Sequence, residues 1–183
     1  MRGRITRRRA RLLAGVAAVV VTIVVLLMTG LGRDPSVIAS PLVGRVAPAF
    51  TLPQLDGPPV TLTKLRGQIV VINFWASWCA ECRVEQAALD QTWQQFQDSG
   101  VVVLGVDFQD TVDAARNYVR TDAVTYPVVE DASSKTALAY GLRGVPETFV
   151  VNRSGRIVRH VIGPVDPVVL AGEINSMLGT RAR

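Results

Sequence analysis

Cys79 and Cys82 are the only two cysteines in a chain of 183 residues, three positions apart within "NFWASWCAECRVEQ", Asn73 to Gln86. Two thiols so spaced can run thiol–disulfide exchange: one thiolate attacks a partner disulfide and the other resolves the mixed disulfide. Three structural readings compete. A disulfide closing so short a loop stabilises a fold by only about 2 kcal/mol. A structural zinc site takes four ligands, and two cysteines with the single histidine, His160, complete no usual Cys/His set. Two unrelated buried thiols would make both their spacing and their place at a helix start coincidental.

The flanking elements favour exchange. Ile69 to Trp75, "IVVINFW", is a continuous β-branched and aromatic run, as expected for a strand buried on both faces. A helix is predicted to begin near Cys79 and end at Gly100, with Cys82, Leu89, Trp93 and Phe96 on one apolar stripe. Cys79 then meets unpaired backbone N–H groups and the positive end of the helix dipole, which stabilise a thiolate. Cys82, one turn on, lies on the stripe and is expected to be the more buried thiol. Cys79 attacks and Cys82 releases.

Around this unit, strands and helices alternate. Phe50 to Leu52 and Val60 to Leu62 flank "PQLDGPP", an edge hairpin. Val101 to Val106 is a second buried strand, and Thr111 to Arg120 a helix with Asp110 as N-cap. A short strand at Pro127 to Val129 precedes a helix from Ser133 to Tyr140, closed by Gly141. Thr148 to Val151 and Ile157 to Ile162 flank "NRSG", with Gly155 at the left-handed turn position. Asp166 as N-cap and Pro167 at the first helical position open a last helix that stops at Gly179. The order predicts a mixed α/β sandwich.

Lys and Arg number 20 against 15 Asp and Glu, but six arginines fall before residue 12, leaving 14 basic residues in the body. Basic arms bind nucleic acid; this one runs straight into an apolar segment, which argues against that partner. Leu12 to Gly32 is 21 residues without a charge. As a helix it would span about 31 Å, one hydrocarbon core. A cleaved signal is the alternative, with a hydrophobic stretch of typically about 7–15 residues and only a weak cleavage site here at Val37-Ile38-Ala39. The anchor is preferred, so residues 1–11 form a cytoplasmic Arg-rich tail, 12–32 the transmembrane anchor, 33–45 a linker and 46–183 the folded domain. The arginines stay in the cytoplasm and the domain faces outside, where disulfides persist.

"FWASWCAEC" resembles the W-C-x-x-C site of the thioredoxin superfamily, and "APAFTLPQLDGPPVTLTKLRGQIVVINFWASWC" resembles the redoxin module of membrane-anchored ResA/TlpA/CcmG (DsbE)-type proteins. "GVPETFVVNRSGRIV" is similar to their cis-proline loop and hairpin, and the match runs from Val46 to Leu178. The resemblance implies a thioredoxin-like sandwich, a central mixed sheet flanked by helices, with an N-terminal β-hairpin extension. It also implies Cys79 as nucleophile, Cys82 as resolving thiol, a cis peptide bond before Pro146, and the Val145 backbone pairing with the substrate chain. Trp75 and Trp78 either shape the rim or simply pack. No cofactor or metal is expected.

Thioredoxins proper carry a buried Asp where this chain has Asn73; the ResA/TlpA/CcmG group instead often has Glu three residues after the second cysteine, matched by Glu85. That spacing puts Glu85 one helical turn from Cys82. Burial there would raise its pKa and suit it to take a proton from Cys82; otherwise it is a solvated helix residue. Glu147 follows Pro146 as in cytochrome c maturation members and would read a basic substrate, or is an ordinary edge-strand residue. His160 is expected on the surface. Ala80-Glu81 between the cysteines departs from the family, most of which has Pro before the second cysteine, and loosens any inference about potential.

The resemblance implies an extracytoplasmic thiol–disulfide oxidoreductase that reduces disulfides of apocytochrome c, recharged by a membrane thiol carrier of the CcdA/DsbD kind. An oxidant or isomerase of secreted proteins is the alternative within the class. A peroxiredoxin normally has Thr where this chain has Ala76, and a Sco-type copper protein spaces its cysteines one residue further apart.

Overall fold

The computed structural model describes residues 11, 13–25 and 40–179. The chain divides into two compact units, 1–38 and 39–183. In the first, residues 13–25 are helical, with the Thr22 hydroxyl donating to the Ala18 carbonyl at 2.8 Å. Leu12 and residues 26–32 of the expected anchor lie outside the described residues, as do 1–10 of the arginine-rich tail and 33–39 of the linker. Among the described residues no helix is long and apolar enough to cross a membrane.

In the second unit a hairpin, β1 (Thr51–Leu52) and β2 (Val60–Thr61), precedes the main elements. These are β3 (Ile69–Trp75), α1 (Ala80–Phe96), β4 (Val101–Phe108), α2 (Val112–Thr121), β5 (Val128–Asp131), α3 (Lys135–Ala139), β6 (Glu147–Val151), β7 (Ile157–Ile162) and α4 (Pro167–Gly179). The main sheet has the order β5-β4-β3-β6-β7. β3, β4 and β5 are parallel, β6 runs against them, and β7, antiparallel to β6, returns to their direction. This is the expected mixed α/β sandwich with a hairpin extension.

The central strand β3 is buried at every residue, which is why its sequence is unbroken by polar alternation apart from Asn73. Its side chains split by parity. Ile69, Val71 and Trp75 meet Leu89, Phe96, Tyr118 and Ile174 from α1, α2 and α4. Val70, Ile72 and Phe74 meet Phe50, Leu52, Ala137, Tyr140 and Phe149 on the other face. Gly105 on β4 is required by the first layer: a Cβ there would lie 2.9 Å from the Trp75 indole nitrogen. The hairpin covers the β5 edge, since Leu55 N–H donates to Val128 and Glu130 N–H to Pro53, both at 2.9 Å.

Several boundaries differ from expectation. β4 continues past Val106 to Phe108, and β5 begins after Pro127 and runs to Asp131. The helix expected over Ser133 to Tyr140 is shorter, Lys135–Ala139. Thr111, not Asp110, caps α2, its hydroxyl accepting the Ala114 N–H at 3.2 Å. Asp110 is engaged elsewhere, as described below. Residues 40–45, expected in the linker, are tied to the β6–β7 hairpin: Gly44 N–H donates to Ile157 at 2.8 Å, and Ile157 N–H to Arg45 at 2.9 Å. Gly155 and Gly141 take the left-handed conformation, and Asp166 caps α4 through the N–H groups of Val168 and Val169.

Candidate active site

Cys79 is the N-cap of α1, and its Sγ accepts the Cys82 N–H at 3.1 Å. The two cysteines are joined in a disulfide. Both are buried, Cys82 at 2% exposure and Cys79 at 6%, in the order expected. The turn from β3 into α1 is held from the β4–α2 loop. Ser77 N–H donates to Asp110 Oδ2 at 2.7 Å, and the Trp78 indole donates to the Gln109 carbonyl at 3.1 Å. Asp110 thus bridges a backbone donor beside the thiols, through Oδ2, and the N–H of Thr111, the cap of the following helix, through Oδ1 at 2.8 Å. Trp78 is 61% exposed and stands at the rim. Trp75 does not: it is 3% exposed and packs on Tyr118 with ring centroids 4.4 Å apart. It is part of the core, because strand alternation turns it under α1.

Glu85 faces the same interior. It is 2% exposed, with Oε1 accepting from the Asn73 amide at 2.7 Å and Oε2 from Val165 N–H at 2.8 Å. Loss of hydration raises its pKa from 4.5 to about 7, against the lowering effect of those two hydrogen bonds. A carboxyl so poised can hold or release a proton near neutral pH, one turn from Cys82.

A second buried carboxyl, Asp107, was not expected. It is 2% exposed near the end of β4, paired in register with Trp75, and its Oδ1 has no hydrogen-bond partner among the described residues. Burial first, then the charges of Asp110 and Glu130, push its pKa up to about 7 despite a backbone hydrogen bond from Phe108. The one sequence signal is the acid in "VVVLGVDF", one residue past Val106, where the strand is expected to end.

The Val145–Pro146 bond is cis, as the resemblance implied. Register pairs Glu147 with Phe74, so Pro146 lies beside the end of β3 from which the cysteine turn departs. Val145 packs against the layer that contains both cysteines. Glu147 is neither an exposed reader of basic groups nor an edge residue. It is 1% exposed, and its Oε1 accepts the N–H groups of Arg143 and Gly144 at 2.8 and 3.1 Å. His160 is not on the surface either. Its side chain is 5% exposed, 2.6 Å from Glu147 Oε2 and stacked on Phe149. Register explains both corrections, since it places His160 opposite Phe149, on the layer away from the cysteines. Among the described residues no group of three or more His, Cys, Asp or Glu could hold a metal ion.

A model of the AhpC/TSA family matches residues 43–160. The chain is 41% identical over 157 residues to the thiol:disulfide interchange protein DsbE of Allochromatium vinosum, covering 84% of each chain. It is 38% identical over 153 residues to the thiol:disulfide interchange protein HelX of Rhodobacter capsulatus, covering 82% of this chain and 85% of that one. A crystal structure of a DsbE-type thiol:disulfide interchange protein from Chlorobium tepidum superposes with a TM-score of 0.70 at 28% identity, over 73% of this chain and 96% of that one. The cysteine turn and cis-proline loop thus belong to a known lineage: the chain is a member of the AhpC/TSA family and a thiol–disulfide oxidoreductase of thioredoxin-like fold.

Proposed function

We propose that the chain is a membrane-tethered reductant of protein disulfides on the extracytoplasmic side, acting in cytochrome c maturation. The haem-attachment cysteines of apocytochrome c are its substrate, and a membrane thiol carrier of the CcdA/DsbD type recharges it. The observation that carries this reading is the Cys79–Cys82 pair with a buried carboxyl, Glu85, one turn beyond it. The likeness to DsbE and HelX supports it, and the uncharged run from Leu12 to Gly32 supports the tether.

Reduced Cys79 attacks one sulfur of the substrate disulfide, and the other substrate sulfur leaves as a thiolate. Cys82 gives its proton to Glu85 and attacks Cys79 Sγ, releasing the second substrate sulfur. Two electrons pass to the substrate, and the protein ends as the Cys79–Cys82 disulfide. Trp78 lines the approach, and the Val145 backbone beside Pro146 pairs with the substrate chain.

The test is the equilibrium of the Cys79–Cys82 couple against glutathione, together with reduction of an oxidised CxxCH peptide by the reduced protein. A potential below about −200 mV with peptide reduction supports the proposal. A value near −120 mV sinks it in favour of an oxidant.

A further inference from the structure

We infer that His160 is a positioning residue for the substrate-pairing loop, acting through Glu147 on the backbone just before Pro146. This rests on the reading of that loop as the place where the substrate chain pairs.

Glu147 opens β6 and spends Oε1 on the N–H groups of Arg143 and Gly144, the two residues before Val145. Its other oxygen faces His160 Nε2 at 2.6 Å, its one hydrogen-bond partner among the described residues. A buried carboxylate oxygen without a partner carries a full desolvation penalty, and the side chain would turn toward water to escape it. His160 removes that incentive. The imidazole is itself held: it lies on β7 in register with Phe149 and stacks on that ring at 4.2 Å with planes 12° apart. Gly163 N–H donates to the Pro146 carbonyl at 2.9 Å, so the same strand end holds the loop from both sides of Val145. A line of contacts therefore runs from β7 through His160 and Glu147 to the 143–146 backbone. The imidazole lies on the opposite face of the sheet from the cysteines and touches neither.

The full chain in detergent micelles is compared with His160→Phe, which keeps a ring against Phe149 but has no donor, and with His160→Gln, which restores one. Two probes separate positioning from thiol reactivity: a synthetic peptide closed by a disulfide, and 5,5′-dithiobis(2-nitrobenzoate), a small disulfide that needs no main-chain pairing. His160→Phe is expected to slow the peptide reaction about tenfold, the effect of one lost buried hydrogen bond. The small probe should react at nearly the wild-type rate, and His160→Gln should recover most of the peptide rate. Equal loss on both probes, or an unchanged peptide rate, overturns the inference. Should His160→Phe not fold, His160→Asn replaces it, because its amide ends short of Glu147.

Hydrogen exchange provides a second arm. The Arg143 and Gly144 amides should exchange about tenfold faster in His160→Phe and near wild type in His160→Gln; unchanged exchange overturns the brace. If the wild type reduces no peptide at all, the reductant reading falls, and the exchange arm alone still decides for or against His160.

Discussion

Asn73 and Glu85 hold each other beneath the cysteine turn: the Asn73 amide donates to Glu85 Oε1 at 2.7 Å and to the Thr148 hydroxyl at 3.0 Å. A neutral donor from β3 therefore meets an acid from α1. Had both positions been acids, two like charges would share one dry site. With Asn73 the buried acid is single and its protonation is set mainly by burial, which leaves it near pH 7.

That placement predicts how stability follows pH. Folding raises the Glu85 pKa from 4.5 to about 7, so in that window the folded chain binds a proton that the unfolded chain has released. The contribution is fully favourable below about pH 4.5, is lost as pH rises toward 7, and is flat above. The loss is on the order of 3 kcal/mol. Asp107 adds a fall of the same sign between 3.8 and about 7. In Glu85→Gln the drop in denaturation free energy between pH 4.5 and pH 8 should shrink by that order and keep the Asp107 share. An unchanged drop would place Glu85 in water.

The thiols should divide their labour. Cys82→Ser should accumulate mixed disulfides through Cys79, because attack survives and release does not. Cys79→Ser should trap far less, since Cys82 is 2% exposed on the inner side of α1. Mass spectrometry of trapped adducts decides, and equal trapping by both variants would mean the nucleophile is misassigned.

Asp110 should matter to the cysteine turn more than to its own helix, which Thr111 caps. Asp110→Ala leaves the Ser77 N–H without its acceptor. A loss of about 1–2 kcal/mol is expected, with faster exchange of the Ser77 amide while the amides of α2 stay protected. Exchange confined to α2 would be the contrary result.

The tether predicts that the full chain stays in the membrane fraction through a carbonate wash. Recovery of a soluble form beginning near Ser40 would favour a cleaved signal instead.

Features governed by a few neighbouring residues were legible in the amino-acid order. The span of β3, the opening of α1 at Cys79, the left-handed turn at Gly155 and the Asp166–Pro167 start of α4 were all anticipated. Each depends on contacts within one turn or on the apolar run of one segment. What only the tertiary structure decided involves partners far apart in the chain. Asp110 reads locally as a cap, yet it is drawn to Ser77 across 33 residues. Two tryptophans three positions apart diverge, Trp75 inward and Trp78 outward, because one still obeys the strand and the other has entered the turn. Glu147 and His160 read as surface residues because charge and a lone imidazole normally seek water. Sheet register sets them against each other and against Phe149, so their polar atoms satisfy one another in the interior. Composition says which side chains prefer water; only the pairing of strands says which of them find a partner out of it.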